Sequence, residues 1–266
     1  MSIITRQPWT RQPQVAVGVD WGNPAATGLQ HLSLAPQFPS AVSGKFNTGT
    51  ITPAIAPFGV GTTYSGGNST SVPISTVANG TSYALLATFN LTSVATGQQI
   101  FTQDSGGSIR VNQFRVGYTS GVVQFIVFNT GLSNFTCSSG VLANGVHTAV
   151  AVANSSGTID LYVDGKKTSA TFTGTLRSPE GAALIGNRQA VSEPFLGVVG
   201  VTALWTGSVP SSDAAMSLSL NPWQLFQPLP RRIWAPAAAG GGSTGALAYT
   251  NANDTSASSG TTTVTG

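Results

Sequence analysis

Residues 143–173 read ANGVHTAVAVANSSGTIDLYVDGKKTSATFT, and this stretch carries strong strand and turn signals. Apolar and polar residues alternate in the run 158–163, TIDLYV, which is the pattern of a strand with one buried face. The run ends at Asp164-Gly165, a dipeptide typical of the tight turn in a β-hairpin. Residues 141–153 form a second apolar run, with valines on one face. The stretch therefore predicts antiparallel strands.

The strand-and-turn pattern continues on both sides of this stretch. Several runs are apolar on both faces, as expected for strands inside a two-layer sandwich. The helix candidate is 211–220, with Ser211 as N-cap and a stop at Asn221-Pro222. Further strands are predicted at 81–90, 108–118, 122–129, 182–185 and 195–205.

Composition excludes several other classes of protein. Only 7% of the residues are charged, against about 25% in an average domain. The chain has 32 glycines but only two glutamates, so it lacks the residues that usually build long surface helices. The net charge of +3 is scattered, which argues against a nucleic-acid partner. The lone Cys137 excludes an intrachain disulfide.

Four regions follow from these patterns. Residues 1–40 read as an extended arm with repeated Arg-Gln-Pro triplets, because each proline disfavours a helix before it. Residues 41–220 form the sandwich. Residues 221–243 are a Pro- and Trp-rich return segment and a Gly-rich linker, and 244–266 are a terminal β-hairpin. We expect neither a signal peptide nor a membrane-spanning segment, since no apolar run is long enough.

Residues 143–173 resemble the corresponding segment of laminin-G-like, concanavalin A-like jelly-roll domains. The matching residues are His147 and Leu161-Tyr162-Val163-Asp164-Gly165, although Val146 replaces the tryptophan that usually precedes the histidine. The Ile-Gly at 185–186 and the apolar strand 195–205 also resemble segments of these domains. The resemblance implies an all-β jelly-roll sandwich with terminal arms, and a packing role for His147. It says little about function, because this fold has many functions.

The flanks resemble proteins encoded by tailed bacteriophages and prophages. The similarity lies in residues 6–13, RQPWTRQP, in 221–226, NPWQLF, and in RRIW at 231–234. It implies a non-enzymatic structural protein of a virion, assembled in the bacterial cytoplasm. We expect a homo-oligomer, a trimer, in contact with other virion proteins and host surface glycans. We favour a place in the tail, as a fibre or tip protein for host attachment, because a lectin-like body suits adhesion, and capsid decoration or a head fibre is the alternative. A carbohydrate-active enzyme or a free lectin is the further alternative.

Polar and aromatic loops are candidates for sugar binding, because sugars are often held by aromatic faces, amides and hydroxyls. Ordinary solvated loops are the alternative. The candidates are Tyr64, Asn68, Asn112, Gln113, Asn187, Arg188 and Gln189.

Asp104 is the candidate for a Ca²⁺ ligand, in the loop-like stretch Gln-Asp-Ser-Gly-Gly. Calcium usually takes several oxygen ligands, including more than one carboxylate. No second acidic residue is near Asp104 in sequence, so a turn aspartate is the alternative. We expect no other cofactor, and two histidines without a nearby cysteine do not make a zinc site.

The sequence argues against an enzyme. Glycosidases usually need a pair of carboxyl groups at the scissile bond, but Glu180 and Glu193 are 13 residues apart near turns. No Gly-x-Ser-x-Gly nucleophile motif is present. We therefore predict no catalytic residues.

Large aromatic residues in the arms anchor them either to the sandwich or to a neighbouring subunit, because such side chains bury well at interfaces. We predict intersubunit contacts for Trp9, Trp21, Trp223, Phe226 and Trp234.

Overall fold

The computed structural model of the chain describes residues 12–13, 17–45, 47–49, 51–64, 68–93, 97–104, 110–116, 121–180, 182–188 and 193–229. The chain divides into two compact units, Met1–Gln227 and Pro228–Gly266. Only residues 228 and 229 of the second unit are described, so the predicted hairpin at 244–266 lies outside the described residues. No helix in the described residues is long and apolar enough to cross a membrane.

Two antiparallel sheets face each other in the first unit. In the described residues, one sheet has seven strands. In order across the sheet they are β11 (Asn134–Val141), β10 (Val122–Phe128), β9 (Arg110–Val116), β8 (Gln98–Asp104), β15 (Ala182–Ile185), β6 (Thr70–Pro73) and β3 (Thr48–Gly49).

The second sheet has eight strands in the described residues. Seven follow one another as β14 (Lys166–Thr171), β13 (Thr158–Val163), β12 (Gly145–Asn154), β7 (Tyr83–Leu91), β16 (Gly197–Thr206), β5 (Gly59–Thr63) and β4 (Thr52–Ala56). The eighth, β2 (Leu29–Ser33), pairs with β16. The predicted all-β, concanavalin A-like sandwich is therefore confirmed.

The inner core lies between the two sheets and is built from alternate residues of facing strands. Strand β7 contributes Tyr83, Leu85, Ala87, Phe89 and Leu91. Strands β9 and β10 contribute Phe114 and Phe125, whose rings meet edge to face with centroids 6.1 Å apart. Offset and edge-to-face aromatic pairs add to the free energy of burial.

An outer core lies on the other face of the eight-stranded sheet. The alternate residues Ala84 and Leu86 of β7 and Val150 and Val152 of β12 belong to it, together with the fully buried Trp205. A third layer therefore covers this face, which explains why these strands are apolar on both sides. A strand between two layers must bury both of its faces.

The third layer is formed by short elements from both ends of the described chain. They are β1 (Val17–Val19), a 3-10 helix at Pro24–Ala26, helix α1 (Ser212–Leu220), a 3-10 helix at Pro222–Leu225 and β17 (Phe226–Pro228). The predicted helix is confirmed, with the Ser211 hydroxyl accepting a hydrogen bond from the Ala214 N–H.

Hydrogen bonds fix this layer to the sheet and to itself. The Trp205 Nε1–H donates to the Ala25 carbonyl at 2.7 Å. The Asp20 N–H donates to the Leu225 carbonyl at 2.8 Å, which joins the two ends of the domain. The boundaries predicted at residues 40 and 220 therefore need correction. Strand β2, inside the predicted arm, belongs to the sandwich, and residues 221–227 complete its third layer.

Candidate functional site

A row of polar side chains crosses the outer face of the seven-stranded sheet. Phe114 and Phe125 pair directly across β9 and β10 and point into the inner core. Successive residues of a strand point to opposite faces, so Arg115 and Gln124, which also pair directly, point outward. Gln124 pairs further with Ser138 of β11. We call these three residues, with Gln113 and Gln99, the polar row.

Arg115 lies at the centre of the polar row, and its guanidinium is held by two amides. Its Nε donates to the Gln124 Oε1 at 3.2 Å, and its Nη1 donates to the Gln113 Oε1 at 3.1 Å. Arg115 and Gln124 are half-buried, whereas Gln113 is buried. The planar fork of an arginine offers five N–H donors in fixed directions. Two amide partners from neighbouring positions set the orientation of this fork.

The row continues across β8 to the segment that follows β15. Gln99 pairs with Arg115 but is wholly buried, and its Nε2 donates to the Glu193 Oε2 at 2.6 Å. The Arg188 Nη1 is 3.9 Å from the Glu193 Oε1. The Asn187 Oδ1 accepts hydrogen bonds from the Arg188 and Glu193 N–H groups, both at 2.8 Å. This segment therefore places a carboxylate and a second guanidinium at the end of the row.

The row combines hydroxyl, amide, guanidinium and carboxylate groups on one outer face. Such groups donate and accept several hydrogen bonds in set directions, and strands hold them more rigidly than loops do. The arrangement is suited to a ligand with many hydroxyl groups. In the described residues no group of three or more His, Cys, Asp or Glu side chains is arranged to hold a metal ion. Asp104 pairs through its backbone with Arg110 at the end of β8, and its side chain is outside the described part.

The structure brings some predicted sugar-binding residues together and separates others. Gln113 belongs to the polar row, and Arg188 lies at its end. Asn187 is 1% exposed and orders the turn after β15. Asn68 is half-buried just before β6, and Gln189 lies outside the described residues.

Tyr64 and Asn112 are buried as well, like Gln113 and Asn187, and they pack inside the protein, which corrects their prediction as sugar-binding loop residues. Asn112 is on β9 and wholly buried; its Nδ2 donates to the Gln103 Oε1 at 3.5 Å. Tyr64 is 5% exposed and packs over Gly186, where a side-chain Cβ would lie 2.1 Å from its ring. Its hydroxyl is 3.0 Å from the Thr70 hydroxyl. Burial raises the pKa of Tyr64 well above its ordinary value.

The central residues of the site, Arg115, Gln124 and Gln99, were missing from the sequence candidates. The signal was present in the hairpin predicted from 108–118 and 122–129. Polar residues at alternate positions, Gln113, Arg115 and Gln124, flank apolar ones on both strands. They share a face only in the observed register, because a one-residue slip reverses the face of every side chain in a strand.

The aromatic arm residues also need correction. Trp223 and Phe226 are 5% and 3% exposed and belong to this chain's own outer core, so they anchor the return segment to the sandwich and are not available to another subunit. Trp21 is 59% exposed, so its intersubunit role stays a prediction. Trp9 and Trp234 lie outside the described residues.

His147 lies away from the polar row, at one end of the eight-stranded sheet. Its Nδ1 is 2.6 Å from the Asp164 Oδ2, and its Nε2 is 2.9 Å from the Ala143 carbonyl. The ring centroid is 5.8 Å from that of Phe89. The hydrogen bond to Asp164 raises the pKa of His147, because both ring nitrogens face acceptors and protonation supplies both donors. His147 therefore links the segment at Ala143 to the turn at Asp164.

The sheet topology and the two cores define a jelly-roll lectin-like domain. Residues 64–215, more than half of the chain, match the family model described as the concanavalin A-like lectin/glucanases superfamily, of the laminin G type. The chain belongs to this family. No curated protein matches the sequence.

Solved structures show the same fold at low sequence identity. Domain 4 of AbnA, a GH43 extracellular arabinanase from Geobacillus stearothermophilus solved with arabinotriose, is 13% identical, with a TM-score of 0.57. The match covers 72% of this chain and 98% of that domain. The binding domain of botulinum neurotoxin serotype D is 11% identical with a TM-score of 0.51, and the match covers 74% of this chain and 52% of that one. These likenesses show the fold alone.

Proposed function

We propose that this protein is a non-enzymatic, lectin-like structural protein that binds a glycan at the polar row. The observation that carries the proposal is the Arg115 guanidinium, held by Gln113 and Gln124 on an outer sheet face. Ligand sites gain affinity when their polar groups are oriented before binding, since less conformational entropy is lost. The likeness to an arabinanase domain solved with arabinotriose gives the proposal further support through the fold.

Glycan-array binding with matched charge variants tests this proposal. We expect the intact protein to bind a subset of bacterial surface glycans, and Arg115→Gln to weaken binding at least about tenfold, equal to about 1.4 kcal/mol. Lys166→Gln removes the same charge from the exposed edge strand β14 and should leave binding unchanged. Equal binding by Arg115→Gln and the intact protein would place the glycan elsewhere. If the intact protein binds no glycan on the array, the proposed function is wrong.

We further propose that the protein acts in a bacteriophage virion, as a homotrimer in the tail that attaches the particle to host glycans. The support is the resemblance of the flanking segments to phage proteins, together with an outer face suited to glycans. Imaging of purified particles labelled for this protein tests it. Label at the tail is the expected result, and label over the capsid would favour decoration or a head fibre. A compact monomer in light scattering would contradict the trimer.

The proposal includes no catalysis. Both glutamates already have arginine partners, Glu180 with Arg177 at 2.6 Å and Glu193 with Arg188 at 3.9 Å. Turnover of host polysaccharide tests this directly. We expect none, whereas turnover that is lost in Glu180→Gln or Glu193→Gln would establish a carbohydrate-active enzyme instead.

A further inference from the structure

The two edge strands of the eight-stranded sheet carry different kinds of residue. In the described residues this sheet ends at β14 on one side and at β4 on the other. Strand β14 presents two exposed lysines, Lys166 and Lys167. Strand β4 has the sequence TPAIA without a charged residue, and its Ile55 is 79% exposed. An edge strand leaves backbone N–H and C=O groups unpaired, and proteins protect such edges with charges or proline. Strand β4 lacks the first of these two protections.

The direction of the backbone groups in β4 follows from the hydrogen bonds of its neighbour β5. Val60 of β5 pairs with Ile55. The Val60 N–H donates to the Gln12 Oε1 at 2.6 Å, and the Val60 carbonyl accepts from the Gln12 Nε2 at 3.1 Å. In an antiparallel ladder both backbone groups of a residue point to the same side, so Val60 points away from β4. Val60 and Ile55 are therefore a non-hydrogen-bonded pair, and the Ile55 N–H and C=O point to the free edge.

Pro53 occupies the other position of β4 whose backbone points to the free edge. It lies two residues before Ile55 and pairs with Thr62 in the same unshifted register, so the alternation of the ladder gives it the same direction. A proline has no N–H. Within β4, which the structure describes in full, the free edge therefore offers the Ile55 N–H as its one donor, beside the carbonyls of Pro53 and Ile55.

We propose that Pro53 prevents β4 from pairing with β4 of a second copy of this chain. In the antiparallel register that overlaps the whole strand, Pro53 lies opposite Ile55 of the other copy. Each such pair makes one hydrogen bond, whereas a pair without proline exchanges two. The exposed Ile55 side chain favours the contact, and the missing N–H opposes it. Edge pairing of this kind is isologous and gives a two-fold dimer. Pro53 thus removes a dimer that would compete with the proposed trimer, although the inference does not depend on the trimer.

Analytical ultracentrifugation of the full chain with Pro53→Thr tests the proposal. We expect the variant to self-associate beyond the state of the intact protein, with an association constant raised at least about tenfold, because each copy gains an outward N–H. Ala54→Thr is the matched control, since it adds the same side chain at a position whose N–H already faces β5, and it should not change association. Adding Ile55→Lys to Pro53→Thr places a charge on the edge and should reverse the gain.

Amide hydrogen exchange gives a second readout that needs no variant. In the intact protein the Ile55 amide should exchange faster than the amides of Ala54 and Ala56, because it faces solvent whereas theirs face β5. In Pro53→Thr the exchange of Ile55 should slow as the protein concentration rises. A folded Pro53→Thr that associates no more than the intact protein, or no more than Ala54→Thr, would overturn the proposal. A protected Ile55 amide in the intact protein would also overturn it, because the edge would then already be paired.

Discussion

The two sheets of this domain share an inner core but differ in what their outer faces carry. The outer face of the eight-stranded sheet is apolar and covered by a third layer from both ends of the chain. The outer face of the seven-stranded sheet carries Arg115, which donates hydrogen bonds to Gln113 and Gln124. The two ends of the domain therefore cover one sheet, whereas the glycan site that we propose lies on the other. We expect variants of the two faces to separate stability from ligand affinity.

The largest expected effect is on the covered face. Trp205→Ala removes a wholly buried indole and leaves the Ala25 carbonyl without its 2.7 Å donor. We expect the free energy of unfolding to fall by about 3–5 kcal/mol, as for other large-to-small core substitutions. Denaturant titration measures this. Trp21→Ala is the control and should change the free energy by no more than about 0.5 kcal/mol, since Trp21 is 59% exposed. Equal effects would mean that the third layer does not stabilise the sheet.

The second expected effect is a loss of stability at acidic pH. His31 is buried between β2 and β16, with its Nε2 3.2 Å from the Thr202 hydroxyl, and burial lowers its pKa from 6.5 to about 3. The unfolded chain therefore binds a proton that the folded chain excludes, and stability falls as the pH falls below 6.5. The loss approaches about 1.4 kcal/mol per pH unit.

Parallel denaturant titrations of the intact protein and His31→Gln, from neutral pH downward, check this expectation. The variant should lose stability less steeply with acid, because it has no imidazole to protonate. Identical slopes would show that His31 is not the group that resists protonation on the covered face.

On the polar face the expected effect is on affinity instead. Arg115→Gln should weaken glycan binding at least about tenfold and lower the free energy of unfolding by only about 1 kcal/mol, the cost of removing one donor from the buried Gln113 Oε1. Calorimetry and denaturant titration on the same preparation measure both quantities. A large loss of stability with no change in affinity would show that Arg115 stabilises the fold and does not bind the glycan.

The smallest effect is at the sheet end, where His147 contacts Asp164. The pKa of His147 is raised by this hydrogen bond, so its stabilisation is fully present below 6.5 and is lost as the pH rises through the folded pKa. The effect is small because Asp164 is 42% exposed and solvent screens the pair. His147→Gln should therefore be less stable than the intact protein in mild acid, with the difference shrinking toward alkaline pH. A difference that grows with pH would contradict the assignment.

The pKa shifts of His31 and His147 have opposite signs, and the sequence predicted the surroundings of only one of these two residues. The position of His147 beside an Asp-Gly turn pointed to packing, and the turn geometry brings the two side chains together. His31 gave no such signal, because its burial depends on β2 pairing with β16, 171 residues away.

Features of the fold and of the site that depend on contacts between distant residues were likewise not predicted. Alternation and turn dipeptides identify helix α1 and the strands β7, β9, β10, β12, β13, β15 and β16, since these signals are local, whereas β8 and β11 were not predicted. The third layer was predicted as arms, because its short Pro- and Trp-rich pieces have no periodicity and acquire structure only against the sheet. Arg115 and Gln124 were missed because they become neighbours through register across a hairpin, whereas Asn112, one residue from Gln113, turns inward.

We propose that the glycan binds the polar row and not the covered face of the eight-stranded sheet. Amide chemical shifts of the intact protein, recorded during titration with the glycan that gives the strongest array signal, distinguish these two faces. We predict shifts concentrated on β8, β9 and β10 around Gln99, Arg115 and Gln124, with the amides of β12 and β16 unmoved. Shifts concentrated on β12, β16 and helix α1 would contradict the claim.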